Sequence, residues 1–535
     1  MAGPGKLAAF LQNQRTAFLQ DLHDGRAQGW VVAMGNEAGD LDSLASSIAY
    51  ATLSSTLDPP HRSLPLLLTP KKYMTLRPEN ILALTAAGIP TQKSAGGAEA
   101  DEIFLHLEDL PVDASELAER GIKFALVDHN TLLPPFRNPN AEGTGQEETE
   151  DPVVAIIDHH ANDGNHNHAS PRIIQIPTGS TTSLVTTYFK AKWEQAIQQS
   201  GNATLEPPPT ELATLLLSGI LIDTGALKAG DNVKTTDTDR EAAEFLWRVS
   251  SPQVTSMYAS DSTTTNGSTG MTLESLQAGL IAPELSAFAN SLFEAKNDVS
   301  SLSTHELLLR DYKEYTMHTA AAAAAAAATA SSGESLTVGL STVPMGLSLW
   351  LTRDAPHNGL VPGWQNFVAA MDEWMVERGL DIAGVLTSFN DPPKVPSGAA
   401  TNVGKGKHRR ELVFIVRARP QQQQPAVAAV ASGEPSPAVT RAEQIAQTLI
   451  QGISNAGPIL DAQVWKPGKP FEKNEALVQG LKDELMMDPQ DARKVGRFGC
   501  VWRQGNAAST RKQVAPLIVS SRPLRFSLPS WIPSP

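Results

Sequence analysis

Short apolar runs recur through the first half of the chain, separated by stretches with helical spacing. WVVAM (30–34), LPLLL (64–68), EIFLHL (102–107), KFALVD (123–128), VVAIID (153–158) and RIIQI (172–176) read as β-strands, and GILIDTG (219–225) is a further strand-like run. LDSLASSIAYATL (41–53) and TSLVTTYFKAKWEQAI (182–197) read as helices, and Leu7, Phe10, Leu11, Phe18, Leu19 and Leu22 mark an amphipathic helix ahead of them. Mostly apolar strands alternating with helices predict an α/β fold with a parallel sheet covered on both faces. A helical stretch at 272–296 ends in KNDVSSLS, which sets a domain boundary near residue 300. Beyond it, SLTVGLSTV (335–343), GVLTSF (384–389) and ELVFIVR (411–417) read as strands, and NFVAAMDEWMVERG (366–379) and RAEQIAQTLIQGI (441–453) as helices. They predict a separate mixed α/β domain.

Composition narrows the function. At 535 residues the chain has length for two or more domains. A net charge of −14 argues against non-specific nucleic-acid binding. Cys500 is the single cysteine, so neither an intramolecular disulfide nor a thiolate metal cluster is available. The N-terminal segment lacks an apolar core followed by a cleavage site, and no apolar stretch approaches the roughly 20 residues of a spanning helix. A cytoplasmic protein with no membrane association is expected. Five polar or low-complexity segments (141–151, 198–211, 259–270, 320–328 and 418–439) read as surface insertions or disordered loops.

Chemistry concentrates where the predicted strands end. In parallel sheets ligands bind outside the carboxyl ends of the strands. GNEAGDLDS places Asp40 and Asp42 in a turn before a helix, KFALVD closes on Asp128, VVAIID closes on Asp158 ahead of His159 and His160, and GILID closes on Asp223. Oxygen-rich donors with imidazole and no thiolate suit Mg or Mn, with Co or Zn compatible. Two divalent metal ions clamped on a phosphate need about this donor set, including one shared carboxylate, for which Asp128 is the candidate. His129 reads as a hydrogen-bonding neighbour or a ligand. GSTTSLV (179–185) opens a helix whose first amides could hold a phosphate or simply be capped. KTTDTDREAAEFL (234–246) reads as a capped helix start supporting Asp223. Basic residues cluster at Arg310 and Lys313, at Arg511 and Lys512, and in GKGKHRREL (404–412).

Taken in order, GNEAGDLDS (35–43), VDHN (127–130), IIDHH (156–160), GSTTS (179–183) and ILIDT (220–224) resemble the DHH phosphoesterase superfamily. The resemblance continues through LLLRDYKEY (307–315) and STRKQVAP (509–516). It is nearest the fungal cytosolic exopolyphosphatase branch, with manganese-dependent inorganic pyrophosphatases and animal prune proteins as relatives. It implies a parallel-sheet DHH catalytic domain over 1–299, a smaller mixed α/β DHH-associated domain over 300–535, and an active site in the cleft between them. By matching motifs, Asp42, Asp128, His159 and Asp223 would surround one metal, and Asp40 and Asp128 would hold the other. His160 would face the bridging water or a phosphate. Lys313, Arg511 and Lys512 would bind substrate, with Arg310 a further possible contact.

One position departs from the pyrophosphatase pattern. Asn36 stands where their first motif, His-x-x-x-Asp-x-Asp, begins with histidine. An amide oxygen is a weaker ligand for Mn and better tolerated by Mg. The same Asn-Glu start is typical of the exopolyphosphatase and prune branch. The resemblance therefore implies hydrolysis of the terminal phosphoanhydride of inorganic polyphosphate, releasing orthophosphate, with Asp128 and His160 as catalytic residues. A pyrophosphatase, or a prune-like phosphodiesterase acting on cyclic nucleotides or short polyphosphates, is the competing enzymatic reading. A non-enzymatic scaffold is the remote one.

Overall fold

Six strands of the first half form one parallel sheet in the computed structural model of the protein. They are β1 (Val31–Met34), β2 (Ser63–Leu67), β3 (Leu105–His106), β4 (Lys123–Val127), β5 (Val153–Asp158) and β6 (Arg172–Ile174). Their order is β3-β2-β1-β4-β5-β6, with every pairing parallel. The direction of progression reverses between β1 and β4, so the loops leaving these two strands part in opposite directions and open a crevice at their carboxyl ends. The described residues are 5–57, 61–91, 102–137, 151–199, 207–230, 233–258, 271–318, 335–354, 361–391, 406–418, 435–468, 473–486 and 488–519. They fall into two units, Met1–Asp298 and Val299–Pro535. Most of the five insert segments lie outside the described residues.

The sheet is buried on both faces, as its apolar strands require. Val32, Met34, Phe124, Leu126 and Ile156 pack with Phe18, Trp30 and Phe136 on one side. Ala33, Ala125, Val127, Ala155 and Ile157 face the other core, which holds Leu44, Ile48, Leu184, Phe189, Leu216 and Ile220. The helices of this unit are α1 (Lys6–His23), α2 (Leu41–Leu57), α3 (Pro78–Ala86), α4 (Thr181–Gln198), α5 (Thr210–Thr224), α6 (Asp237–Tyr258), α7 (Leu273–Gln277) and α8 (Pro283–Asn297).

Three expectations change. GILID is not a strand: it is the last part of α5, in which Leu212 to Ile222 are all buried. Its apolar run extends back to Leu212, too long for a typical strand. A helix enclosed on all sides loses the polar face that would have marked it. EIFLHL supplies only the two residues of β3. The helical stretch at 272–296 is two helices, α7 and α8, separated by a turn with Gly279 at φ +77° and by Pro283 at the start of α8.

The second unit carries a mixed sheet of β7 (Tyr312–His318), β8 (Ser335–Val343), β9 (Ile382–Thr387), β10 (Phe389–Asn390), β11 (His408–Arg417), β12 (Ala462–Val464) and β13 (Arg497–Gln504). The order is β12-β13-β11-β9-β8-β7, with β10 beside β11. β8 and β9 run parallel and the other pairs antiparallel. Among the described residues, no helix is long and apolar enough to cross a membrane.

Candidate metal centre

β1, β4 and β5 are neighbours, so the polar residues that follow them emerge side by side. The chain leaves β1 through Gly35, where an added Cβ would lie 2.6 Å from the Cβ of Ser43 and 2.8 Å from its carbonyl oxygen. Only a residue without a side chain lets the strand end lie this close to the start of α2. Asp40 Oδ1 accepts the Ser43 amide at 3.1 Å and so caps α2.

Asp128 sits just past β4 at φ 62°, a left-handed conformation that Asp and Asn tolerate better than most residues. This turn aims the carboxylate inward, and the residue is only 3 % exposed. Its two oxygens have different surroundings. Oδ2 accepts Asn36 Nδ2 at 2.7 Å and Ser43 Oγ at 2.5 Å. Oδ1 accepts Thr181 Oγ1 at 3.2 Å and faces His159 Nε2 at 3.4 Å and His160 Nδ1 at 3.5 Å. Asn36 Oδ1 accepts the Ala38 amide at 2.9 Å, so the Asn36 NH2 group is the end directed at Asp128. Burial pushes the Asp128 carboxyl well above the usual carboxylate range, and the negative charges of Asp42 and Asp40 add to the rise.

The two histidines are held by different partners. His159 Nδ1 lies 3.1 Å from the Thr178 carbonyl, which can only accept, so Nδ1 donates there and Nε2 is the nitrogen turned toward Asp128 and, at 3.9 Å, Asp42 Oδ2. His160 Nδ1 lies 2.9 Å from Asp158 Oδ1, which also accepts the His160 amide at 3.1 Å. Asp158 Oδ2 accepts Asn130 Nδ2 at 2.6 Å. Burial raises the Asp158 carboxyl, but the His160 bonds and charge and the Asn130 bond outweigh it, and the group sits below its ordinary value. Asp158 thus orients, while Asp128, His159 and His160 form a cluster whose ligand atoms lie within 4.8 Å of one another.

The start of α4 closes the site, and not as an anion cradle. Asp42 takes Ser180 Oγ at 2.6 Å, the Thr181 amide at 2.8 Å and the Thr182 amide at 2.9 Å. Asp239 takes the amides of Gly179 at 2.9 Å and Ser180 at 3.3 Å. The amides that could have gripped a phosphate are occupied by two buried carboxylates, so the capping alternative for GSTTSLV holds.

Asp223, in the last turn of α5, is half-buried. Burial and the charges of Asp42 and Asp40 push its carboxyl up to about 7, against opposing pulls from Lys296 and Lys234. His129 turns its Nδ1 back to the Val127 carbonyl at 2.9 Å. In the second unit, Arg310 ends the helix α9 (Thr304–Arg310) and is buried. Lys313 lies on β7 opposite Leu340 on β8. Arg511 donates to the carbonyls of Asp311 at 2.7 Å and Leu340 at 3.3 Å and to Asp311 Oδ1 at 3.0 Å, so the two cationic motifs converge on one edge of the sheet. Lys512 follows, exposed, on the helix Arg511–Val519.

This donor set fits a divalent cation. Carboxylate and imidazole atoms converge on a small space, the His159 proton is fixed on the nitrogen facing away, and the carboxylates raise one another's affinity for positive charge. Sequence reasoning did not single out Ser43, Asn130, Thr178, Thr181 or Asp239 as part of the site. Asp239 had a legible signal in Thr236-x-x-Asp239: the Asp239 carboxylate accepts both the amide and the hydroxyl of Thr236, each at 2.7 Å, which is the half of a helix cap in which the third helical residue reaches back to the capping residue.

Two family models match the chain: the DHH family N-terminal domain over residues 30–220 and the DHHA2 domain over 290–521. A "Putative exopolyphosphatase" from Schizosaccharomyces pombe is 35% identical over 44% of this chain and 55% of its own length. "Exopolyphosphatase PRUNE1" from Mus musculus is 27% identical over 57% of this chain and 52% of its own. The chain thus spans about half the length of the curated relatives it matches. The crystal structure of a "putative family II inorganic pyrophosphatase" from Methanococcus jannaschii aligns over 73% of this chain and 87% of its own, with 18% identity and a TM-score of 0.39.

Proposed function

We propose, from the match of residues 30–220 to the DHH family N-terminal domain and of residues 290–521 to the DHHA2 domain, that this DHH-family chain is a divalent-metal-dependent exopolyphosphatase, removing orthophosphate from the end of inorganic polyphosphate. The observation that carries this reading is the convergence of Asp128, His159 and His160 at the carboxyl ends of β4 and β5, beside Asp42. Asp40, Asp42, Asp128, His159 and Asp223 are the proposed holders of two divalent ions, Mg or Mn. Bound ions would neutralise phosphate charge and acidify the attacking water.

The remaining work falls to the chain. Asp128 offers Oδ1 on the histidine side while Asn36 and Ser43 hold Oδ2. His160, fixed through Nδ1 by Asp158, has Nε2 left to meet a phosphate oxygen or carry a proton. Lys313, Arg511 and Lys512 are the proposed phosphate-binding cations, with Arg511 held in place by Asp311 and Leu340 and offering a phosphate the guanidinium hydrogens that those bonds leave. Two observations favour polyphosphate over pyrophosphate. Asn36 donates to Asp128 and does not offer the ligand nitrogen of a histidine, and the curated relatives are named as exopolyphosphatases. A cytoplasmic location goes with this reading.

The test is phosphate release from long polyphosphate, tripolyphosphate, pyrophosphate and cyclic AMP, each with Mg or Mn. Faster release from the polyphosphates is expected, and none in chelator. Preference for pyrophosphate or cyclic AMP would replace the substrate assignment, and metal-independent release would remove the mechanism. A second expectation concerns Arg511→Lys, which keeps the charge but loses the fork that grips Asp311 and two carbonyls. KM for polyphosphate should rise by about tenfold, roughly the 1.4 kcal/mol of one charge-assisted bond, with kcat changed less. Steady-state kinetics with unaltered KM would exclude Arg511 from substrate capture.

A further inference from the structure

We propose that Asp239, which belongs to none of the proposed ligand positions, is the positioning residue that sets metal affinity by bracing the 178–183 turn from behind. The proposal rests on the metal-centre reading above. Asp239 is fully buried. Its carboxylate accepts five hydrogen bonds: the amides of Gly179 at 2.9 Å and Ser180 at 3.3 Å, Ser183 Oγ at 2.6 Å, and the amide and hydroxyl of Thr236 at 2.7 Å each. Four residues of the turn it holds reach three proposed ligands. The Thr178 carbonyl orients His159, Thr181 Oγ1 meets Asp128 Oδ1, and Ser180 Oγ with the Thr181 and Thr182 amides grips Asp42.

The fit leaves no slack. A Cβ on Gly179 would lie 2.8 Å from Asp239 Oδ2 and 2.7 Å from Thr224 Cγ2. The same segment also braces the end of α5, because Thr235 Oγ1 donates to the Thr224 carbonyl at 3.1 Å, one residue beyond Asp223. One acid at the start of α6 therefore ties together the backbone beneath Asp42, Asp128 and His159, and its neighbour Thr235 reaches the turn that carries Asp223. A carboxylate is required because all five partners are donors. An amide would turn an NH2 group toward them and strand a buried N–H. Groups that orient metal ligands in this way typically change metal affinity 10–100-fold when removed.

The experiment is calorimetric titration of the metal-free full-length chain with Mn²⁺, without substrate, for wild type, Asp239→Asn, Ser183→Ala and Phe18→Leu. Phe18 is fully buried in the opposite core and serves as a control for general destabilisation. Asp239→Asn is expected to bind Mn²⁺ about 10–100-fold more weakly with an unchanged circular dichroism spectrum. Ser183→Ala, which removes one of the five bonds, is expected to lose affinity by a smaller factor, and it carries the test if Asp239→Asn does not fold. Phe18→Leu should lower the melting temperature and leave Mn²⁺ affinity alone. Wild-type affinity in Asp239→Asn, or in Ser183→Ala where that variant carries the test, would overturn the positioning role while leaving the metal centre standing. No Mn²⁺ binding by the wild-type chain would overturn the metal centre and this proposal with it.

Discussion

Asp128→Asn is expected to cut divalent-dependent phosphate release by about 10³-fold or more, equivalent to roughly 4 kcal/mol of barrier, while the protein stays folded. The substitution is chosen on conformational grounds. Asn tolerates the left-handed backbone at φ 62° nearly as well as Asp, so the turn after β4 survives. Its carbonyl can still accept from Asn36 or Ser43. What disappears is the charge that joins the two imidazoles in the ligand cluster. A second sign follows from the electrostatics. Asp128 is buried against Asp42 and Asp40, whose charges disfavour its ionisation. Neutralising it relieves that repulsion, so without metal the variant should melt at or above the wild-type temperature, and metal should stabilise it little. Melting curves in chelator and in Mg²⁺, beside the phosphate assay, check both parts. Full activity would remove Asp128 from the centre, and a collapse in chelator would make its role structural.

Removing metal should also reverse the pH dependence of stability. Asp223 titrates near 7 when folded, because of its burial and the charges of Asp42 and Asp40, and Asp128 is raised in the same direction. Unfolded, both carboxyls release protons near 4. Through these two groups the folded, metal-free protein binds more protons than the unfolded chain between about pH 4 and 7. Glu411, pushed up to about 7 by burial, adds to this with or without metal, while burial lowers His106 and His408, which oppose it. Through Asp223 and Asp128 the protein's stability falls as pH rises through that window. Asp158, whose carboxyl is lowered, acts with the opposite sign, its contribution being lost only on acidification below its ordinary range. A divalent ion supplies the missing positive charge. At pH 8, metal at a hundred times its Kd should add about 2.7 kcal/mol, and its affinity should weaken below pH 7 as protons compete. Thermal melts from pH 4.5 to 8.5, in chelator and in Mg²⁺, read this directly. A chelated protein whose stability climbs steadily across that range would show that these acids do not crowd one another in the folded state.

The positions of the acids and histidines along the chain were legible because strand ends are. Mostly apolar runs closing on Asp128 and Asp158 state both the strand and the point where it ends. The environment of Asp223 was not legible. Its apolar run satisfies strand and buried-helix patterns alike, and only packing, with Leu212 to Ile222 enclosed on all sides, selects the helix. GSTTS carried two meanings for a similar reason. A free helix start binds anions from solution, while an occupied one binds carboxylates of its own chain, and local sequence does not say which carboxylates will arrive.

The sequence by itself determined the α/β class, the parallel sheet, the donor types and the turns that display them, because these depend on periodicity and residue chemistry within a few positions. Only the tertiary structure decided how the donors are used. It directs the Asn36 amide at Asp128 as a donor, gives the two Asp128 oxygens different partners, and assigns Thr178 and Asp158 to orient one histidine each. It brings Asp239 to the start of α4, 60 residues before it in the chain. Hydrogen bonds and charge repulsion act over a few ångströms, and those distances are set by folding and not by separation along the chain.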